Sequence, residues 1–208
     1  MTSKIWLCVV IVMNSSSAFG LDTPSDTSVK DIQKQIYAAN RMDKQIGDAV
    51  ALVHRAQRAG KSEEEISRLQ NGVVREKAKK YTALTKAIHM TIGAYGLEPD
   101  KPIGTSVMQS TKGRKLTWLP VAREMEAHEI ERLNGSRSEI EQPKEKVYGI
   151  TYPDGITFMD PSAFEHGPGF LASYLLHERI HFEQITTDGK ANKLTYAAAH
   201  AGHRATAR

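Results

Sequence analysis

The chain has 208 residues, of which 40% are hydrophobic and 25% are charged, and its formal net charge is +4. These are ordinary values for a globular protein, and they argue against wholesale disorder. Basic residues are interleaved with acids and form no basic block, which argues against a nucleic-acid-binding protein. The length suffices for one sizeable core, or for one core with a helical appendage.

The first 20 residues are typical of a secretory signal peptide. Lys4 precedes an apolar run at residues 5–13, and small residues then allow cleavage after Gly20 or Ala18. The run is shorter than the roughly 20 residues that span a bilayer. An uncleaved anchor or a buried N-terminal strand is the alternative. We therefore expect a secreted or periplasmic protein with no stable membrane span after cleavage.

The only cysteine, Cys8, lies inside this signal segment. The mature chain would therefore contain neither a disulfide nor a thiolate metal site. Any metal ion would have to use nitrogen and oxygen ligands.

A helical hairpin is predicted for residues 21–97. The first helix is predicted over residues 29–60, where apolar residues recur with heptad spacing, namely Ile32, Ile36, Ala39, Met42, Ile46, Ala49, Val53 and Ala56. The second helix is predicted from a capping box at Ser62 and Glu65 to Gly96. A short connection makes the two antiparallel. We interpret the coiled-coil-like seam as structural packing, with a partner or dimer surface as the alternative.

The region after the hairpin begins with a predicted linker or surface loop at residues 98–115, which are rich in Gly, Ser, Thr, Pro and Lys. A short strand is predicted at residues 116–119. The charged segment at residues 120–134 predicts a helix.

A β-hairpin is predicted at residues 147–159, with a turn at Pro153-Asp154-Gly155. Its second strand, residues 156–159, is predicted to be an edge strand along which an extended peptide could lie. Residues 161–169 read as a loop, and a helix is predicted at residues 170–186. The predicted fold class is therefore α+β and predominantly α-helical.

This last helix carries the motif HERIH, with His177 and His181 four residues apart. Both imidazoles project from one face, where they can hold a zinc ion at about 2.0–2.1 Å. Glu178, about 100° around the helix, can then take a proton from a zinc-bound water, whose pKa falls to about 7. Apolar flanking residues predict an embedded helix. The alternative is a core helix that carries two half-buried histidines.

HERIH resembles the active-site helix of the zincin metallopeptidases. The resemblance implies that His177 and His181 bind zinc and that Glu178 is the general base, and it extends to the β-hairpin before the helix. Residues 98–208 are accordingly expected to form a zincin-like catalytic domain. The subclass is unassigned, because the chain has no Glu after Glu183, where gluzincins have a ligand. Gln184 and Thr187 stand where metzincins have Gly and His.

The third metal ligand is left open among the histidines of a C-terminal segment, Asp188 and Glu183. Residues 195–208 can form a C-terminal helix with His200 and His203 one turn apart. His200 is preferred, because it would stand in for the downstream Glu of gluzincins, and His203 and Asp188 are alternatives. Glu183 is the weakest choice, since it lies about 200° around the helix from the second motif histidine. A frayed, solvated tail is the competing interpretation for both C-terminal histidines.

For the remaining polar residues the sequence gives little indication of a functional role. Tyr196 or a nearby arginine is a candidate to stabilise an oxyanion, on position alone. Three other histidines are interpreted as ordinary surface or core residues, namely His54, His89 and His166.

The predicted function is an exported zinc-dependent hydrolase, a peptidase acting on peptide or protein substrates. Two alternatives are kept. One is an exported helical binding or structural module whose motif is vestigial or holds a structural ion, and the other is a secreted metallopeptidase toxin or effector. Nucleic acid is not an expected partner, and the sequence leaves the oligomeric state open.

Overall fold

The computed structural model describes residues 22–98, 117–130, 147–152 and 154–187, with side chains described up to Glu183. This part of the chain is mostly helical and contains a small three-stranded sheet. The predicted α+β, predominantly helical class is therefore confirmed. Among the described helices, none is long and apolar enough to cross a membrane. The predicted signal peptide, residues 1–20, lies outside the described residues.

Helices α1 (Asp26–Asn40), α2 (Met42–Arg58) and α3 (Glu63–Ala94) form the N-terminal half. The prediction of one unbroken helix over residues 29–60 is wrong, because Arg41 separates α1 from α2. The interruption is slight, since Arg41 keeps right-handed helical dihedral angles and its N–H donates to the Tyr37 carbonyl at 3.1 Å.

The third helix runs back along the first two, as the hairpin prediction requires. Lys80 of α3 pairs with Asp43 of α2 at 2.5 Å, and Ala83 accepts a bond from Gln35 of α1 at 3.1 Å. The hairpin therefore has two helical arms, one formed by α1 and α2 and the other by α3. Later residues of α3 contact earlier residues of the first arm, so the two arms are antiparallel. The predicted start of α3 is confirmed, because the Ser62 side chain accepts from the Glu65 N–H at 3.3 Å.

The sheet consists of β1 (Leu119–Ala122), β2 (Gly149–Thr151) and β3 (Ile156–Met159), in the order β1-β3-β2. The predicted hairpin is confirmed, since β2 and β3 are antiparallel neighbours. Gly155 in the turn has φ +93°, and a Cβ there would lie 2.6 Å from the Thr117 carbonyl oxygen, so the turn requires glycine.

The parallel pairing of β1 with β3 corrects two predictions. Residues 156–159 do not form an edge strand, because β3 has β1 on one side and β2 on the other. Residues 119–122 are a strand, so the helix predicted over 120–134 is wrong at its start, and the strand predicted at 116–119 is displaced. The charges that suggested a helix follow β1, and the described helical residues begin at 127.

The last helix, α4 (Pro168–Thr187), lies against α3, β2 and a 3₁₀ helix (Pro161–His166). It begins two residues before its predicted start, and the 3₁₀ helix replaces most of the loop predicted at residues 161–169. One hydrophobic cluster joins the helical arms, the sheet and α4, and it includes Ile32, Leu84, Ile88, Trp118, Met159, Phe164, Leu171, Leu175 and Phe182. The cluster fixes α4 relative to the rest of the described fold.

A buried carboxylate, Glu129, joins the segment after β1 to the β-hairpin. It accepts hydrogen bonds from the Tyr152 hydroxyl, from Arg123 Nη2 at 2.6 Å and from the Glu126 N–H at 2.8 Å. Burial alone would raise the pKa of Glu129, but these three donors outweigh burial and lower the pKa to about 2. The ionised form of Glu129 therefore stabilises the fold.

We expect the wild-type protein to lose this stabilisation as the pH falls from about 4.5 towards about 2, because the unfolded state binds a proton that folded Glu129 does not. The loss is at most about 1.4 kcal/mol per pH unit. Urea unfolding of wild type and Glu129→Gln at about pH 6 and about pH 3 measures it. The wild type should exceed the variant in stability by a margin that shrinks at the lower pH, and a constant margin would contradict the assignment.

Candidate metal centre and its buried glutamate

The α4 helix places His177 and His181 on adjacent turns, where both side chains are half-buried. Their Nε2 atoms are 2.9 Å apart, and their ring centroids are 4.5 Å apart with the planes at 84°. At this distance one imidazole can donate a hydrogen bond to the other, and the two motif nitrogens lie close together, as their spacing allows.

The separation of these nitrogens fits two ligands of one zinc ion. Two nitrogens bound at about 2.0–2.1 Å with tetrahedral geometry lie about 3.3 Å apart. The observed 2.9 Å is shorter by about 0.4 Å, which small rotations of the two rings can supply. His177 and His181 are thus suitable ligands without any change in the helix.

Two histidines do not complete a zinc site. Within the described residues, no group of three or more His, Cys, Asp or Glu side chains could hold a metal ion. Asp188, His200 and His203, the preferred candidates for the third ligand, all lie outside the described residues. Glu183, the weakest candidate, is bonded to Arg179 at 3.0 Å, and this ion pair directs its carboxylate to the arginine.

The motif glutamate, Glu178, is buried against β2 and is only 2% exposed. Its Oε2 accepts a hydrogen bond from Thr151 Oγ1 at 2.7 Å. A Cβ at Gly149 would lie 3.1 Å from Oε1 and 3.0 Å from the ring of Tyr174, so glycine leaves room for the carboxylate at this place. Helix and sheet together therefore hold the Glu178 side chain in one orientation.

Burial raises the pKa of Glu178 to about 7, although the hydrogen bond from Thr151 acts in the opposite direction. A carboxyl group with a pKa near neutral pH can both accept and return a proton at that pH. This is the property that a general base in hydrolysis needs.

Arg179, the central residue of the motif, is fully buried. It donates to the carbonyls of Leu97 at 2.8 Å and Glu98 at 2.9 Å, just after the end of α3, and its guanidinium lies 5.5 Å from the centre of the Trp118 ring. It therefore ties α4 to the helical arms. The sequence reasoning missed this role, for which the available signal was a single cation in the middle of an apolar run.

A row of aromatic rings leads along α4 to the histidine pair. Tyr174 lies 5.4 Å from His177, Phe170 stacks on Tyr174 at 6.0 Å, and Tyr148 contacts both of these aromatic rings. At its far end, His166 Nε2 is 3.2 Å from the Tyr148 hydroxyl. The row of aromatic rings reaches the candidate metal ligands through Tyr174, and the sequence reasoning did not identify it.

Three further histidines of the described region were interpreted as ordinary surface or core residues, and they lie at the surface. His54, His89 and His166 are all exposed. Tyr196, the candidate for oxyanion stabilisation, lies outside the described residues.

No family model, curated protein or solved structure matches the chain. The likeness to zincins therefore rests on the HERIH helix and the hairpin before it.

Proposed function

We propose that the protein is a secreted zinc-dependent hydrolase that cleaves peptide or protein substrates. The observation that carries the proposal is the convergence of the His177 and His181 Nε2 atoms, 2.9 Å apart, on a helix that also carries the buried Glu178. A random surface match to the motif would expose its middle residues, whereas Glu178 is 2% exposed and Arg179 is 0% exposed. The apolar N-terminal run, typical of a signal peptide, supports export.

In this proposal His177 and His181 hold the zinc ion together with a third ligand, for which His200 is preferred and His203 and Asp188 are the alternatives. A zinc ion there would polarise the scissile carbonyl and acidify the attacking water. Glu178 would then accept a proton from the attacking water and return it to the leaving amine. The Thr151 hydrogen bond at 2.7 Å keeps the accepting carboxylate in place between the two transfers.

Metal removal tests the proposal. The purified protein is incubated with a mixed library of unstructured peptides, in the zinc-loaded state and after chelation, and cleavage is followed by mass spectrometry. We expect cleavage only in the loaded state, with activity returning when zinc is added back, because the proposed reaction needs a metal ion to polarise the carbonyl and activate the water. The idea fails if the loaded protein cleaves nothing or if chelation leaves cleavage unchanged.

The second candidate is an exported helical module whose histidine pair is vestigial or holds a structural ion. It is favoured by the sequence, which has no Glu after Glu183 to serve as the usual downstream ligand, and by the 2.9 Å between the two histidine Nε2 atoms, a distance that a hydrogen bond between the rings explains without a metal ion. A secreted metallopeptidase toxin or effector would use the same chemistry as the first proposal, and would differ from it only in its target.

A further inference from the structure

A chain of buried hydrogen bonds connects Trp118 to the Glu178 carboxylate. Trp118 Nε1 donates to Thr157 Oγ1 at 2.8 Å, Thr157 Oγ1 lies 2.8 Å from Thr151 Oγ1, and Thr151 Oγ1 lies 2.7 Å from Glu178 Oε2. The first three residues are at most 3% exposed. Thr151 Oγ1 also lies 3.3 Å from the main-chain carbonyl of Glu178, so this hydroxyl contacts both the main chain and the side chain of Glu178.

The direction of the chain follows from the chemistry of its ends. An indole N–H can only donate, so Thr157 uses an oxygen lone pair for Trp118 and has its own proton left for Thr151. Thr151 then directs its proton to Glu178 Oε2. All the donors point towards the carboxylate, and bonds aligned in this way strengthen one another.

The two threonines face each other across β2 and β3, as directly paired residues of the antiparallel ladder. A valine at either position would have nearly the same shape and would suit a buried strand equally well. A buried hydroxyl needs a hydrogen-bond partner, and here the two hydroxyls lead to Glu178. The hydroxyl groups of these two threonines on the sheet therefore supply the hydrogen bonds that lead to the motif glutamate on α4.

We propose that Trp118, Thr157 and Thr151 are positioning residues, which hold the Glu178 carboxylate in the orientation that hydrolysis requires. This inference rests on the proposed function and extends it from the motif to the sheet. None of the three residues belongs to the HERIH motif, so the orientation of the base is set by β2, β3 and the segment before β1.

The test compares Thr151→Val and Thr157→Val with Thr151→Ser in the full chain loaded with zinc. Each valine should lower kcat for peptide cleavage about 10- to 100-fold with KM within about twofold, because a misplaced base affects the transition state more than binding. Serine keeps the hydroxyl and should restore most of kcat. Thr91→Val is the matched control, since Thr91 is buried and bonds the Ala87 carbonyl of its own helix at 2.8 Å, and it should leave kcat unchanged.

A double-mutant cycle with Glu178→Gln identifies the residue through which Thr151 acts. Adding Thr151→Val to Glu178→Gln should cause no further loss of kcat, because the hydroxyl then has no base to position. For stability the cycle uses Glu178→Ala, which removes the acceptor that glutamine would keep. In the metal-free protein, urea unfolding of wild type, Thr151→Val, Glu178→Ala and the double variant should show non-additive losses of stability, which reports the contact independently of activity.

The possible outcomes separate the two proposals. If Glu178→Gln is inactive but Thr151→Val keeps wild-type kcat, or if serine fails to restore it, the positioning role is wrong and the proposed function stands. If wild type shows no zinc-dependent cleavage, both are overturned. Additive stability losses in the metal-free cycle would overturn the contact between Thr151 and Glu178 itself. Should Thr151→Val fail to fold, Thr157→Val, one bond further from Glu178, decides the question.

Discussion

Glu178→Gln is expected to lower kcat for peptide cleavage about 100- to 10,000-fold while the zinc ion stays bound. Glutamine has nearly the same shape and can still accept the hydrogen bond from Thr151, so the fold and the histidine pair are preserved. What it cannot do is take up a proton from water. The effect should therefore fall on kcat, with zinc content and KM close to wild type.

The matched control for this variant is Glu165→Gln, which makes the same chemical change at an exposed position of the 3₁₀ helix. We expect it to be fully active. Steady-state cleavage of one peptide selected from the library, together with zinc content, measures all three proteins. Wild-type kcat in Glu178→Gln would rule out Glu178 as the base, whatever the two histidines bind.

Arg179→Met is expected to cost about 3–5 kcal/mol of unfolding free energy, the usual range when one partner of a buried ion pair is removed. The arginine is fully buried. It donates hydrogen bonds to the carbonyls of Leu97 and Glu98 and to the Glu183 carboxylate, at 2.8, 2.9 and 3.0 Å. Methionine fills much of the space but donates to none of them. The variant therefore loses the hydrogen bonds that hold α4 to the segment after α3.

Urea unfolding followed by circular dichroism measures this loss. Arg58→Met, at the exposed end of α2, is the control and should change stability by no more than about 0.5 kcal/mol. Equal losses in the two variants would mean that the buried arginine does not link the helical arms to α4.

The parts of the fold that were predicted correctly are those set by local sequence. Ser62 and Glu65 define the start of α3 within one turn of helix, and Asp154-Gly155 defines the turn between β2 and β3. The break at Arg41 was missed because the apolar spacing continues through it, with no Gly or Pro to mark an interruption. Tertiary packing, which the pattern does not report, decides such a break.

The parallel partner of β3 was missed for a different reason. Residues 119–122 pair with residues 156–159, and the long segment between them leaves no local signal of their pairing. The charged residues after β1, which begin at Arg123, favoured a helix in the sequence, although Leu119 to Ala122 alternate in burial as a strand does. Placing β3 at the centre of the sheet therefore required the structure.

In the candidate site, too, the features set by local sequence were predicted and those set by tertiary packing were not. The pairing of His177 with His181 follows from helical periodicity, so their spacing was enough to predict it. Thr151 and Thr157 read in the sequence as ordinary β-branched strand residues, because their hydroxyls acquire a role only when α4 packs on the sheet. The candidates for the third ligand, Asp188, His200 and His203, lie outside the described residues, and that assignment stays a prediction.

The zinc content of the purified, dialysed protein tests the central claim most directly. We expect about one zinc ion per chain in wild type, Glu178→Gln and the exposed control His54→Ala, and almost none in His177→Ala or His181→Ala. A wild-type protein that binds no zinc, or histidine variants that retain it, would contradict the account.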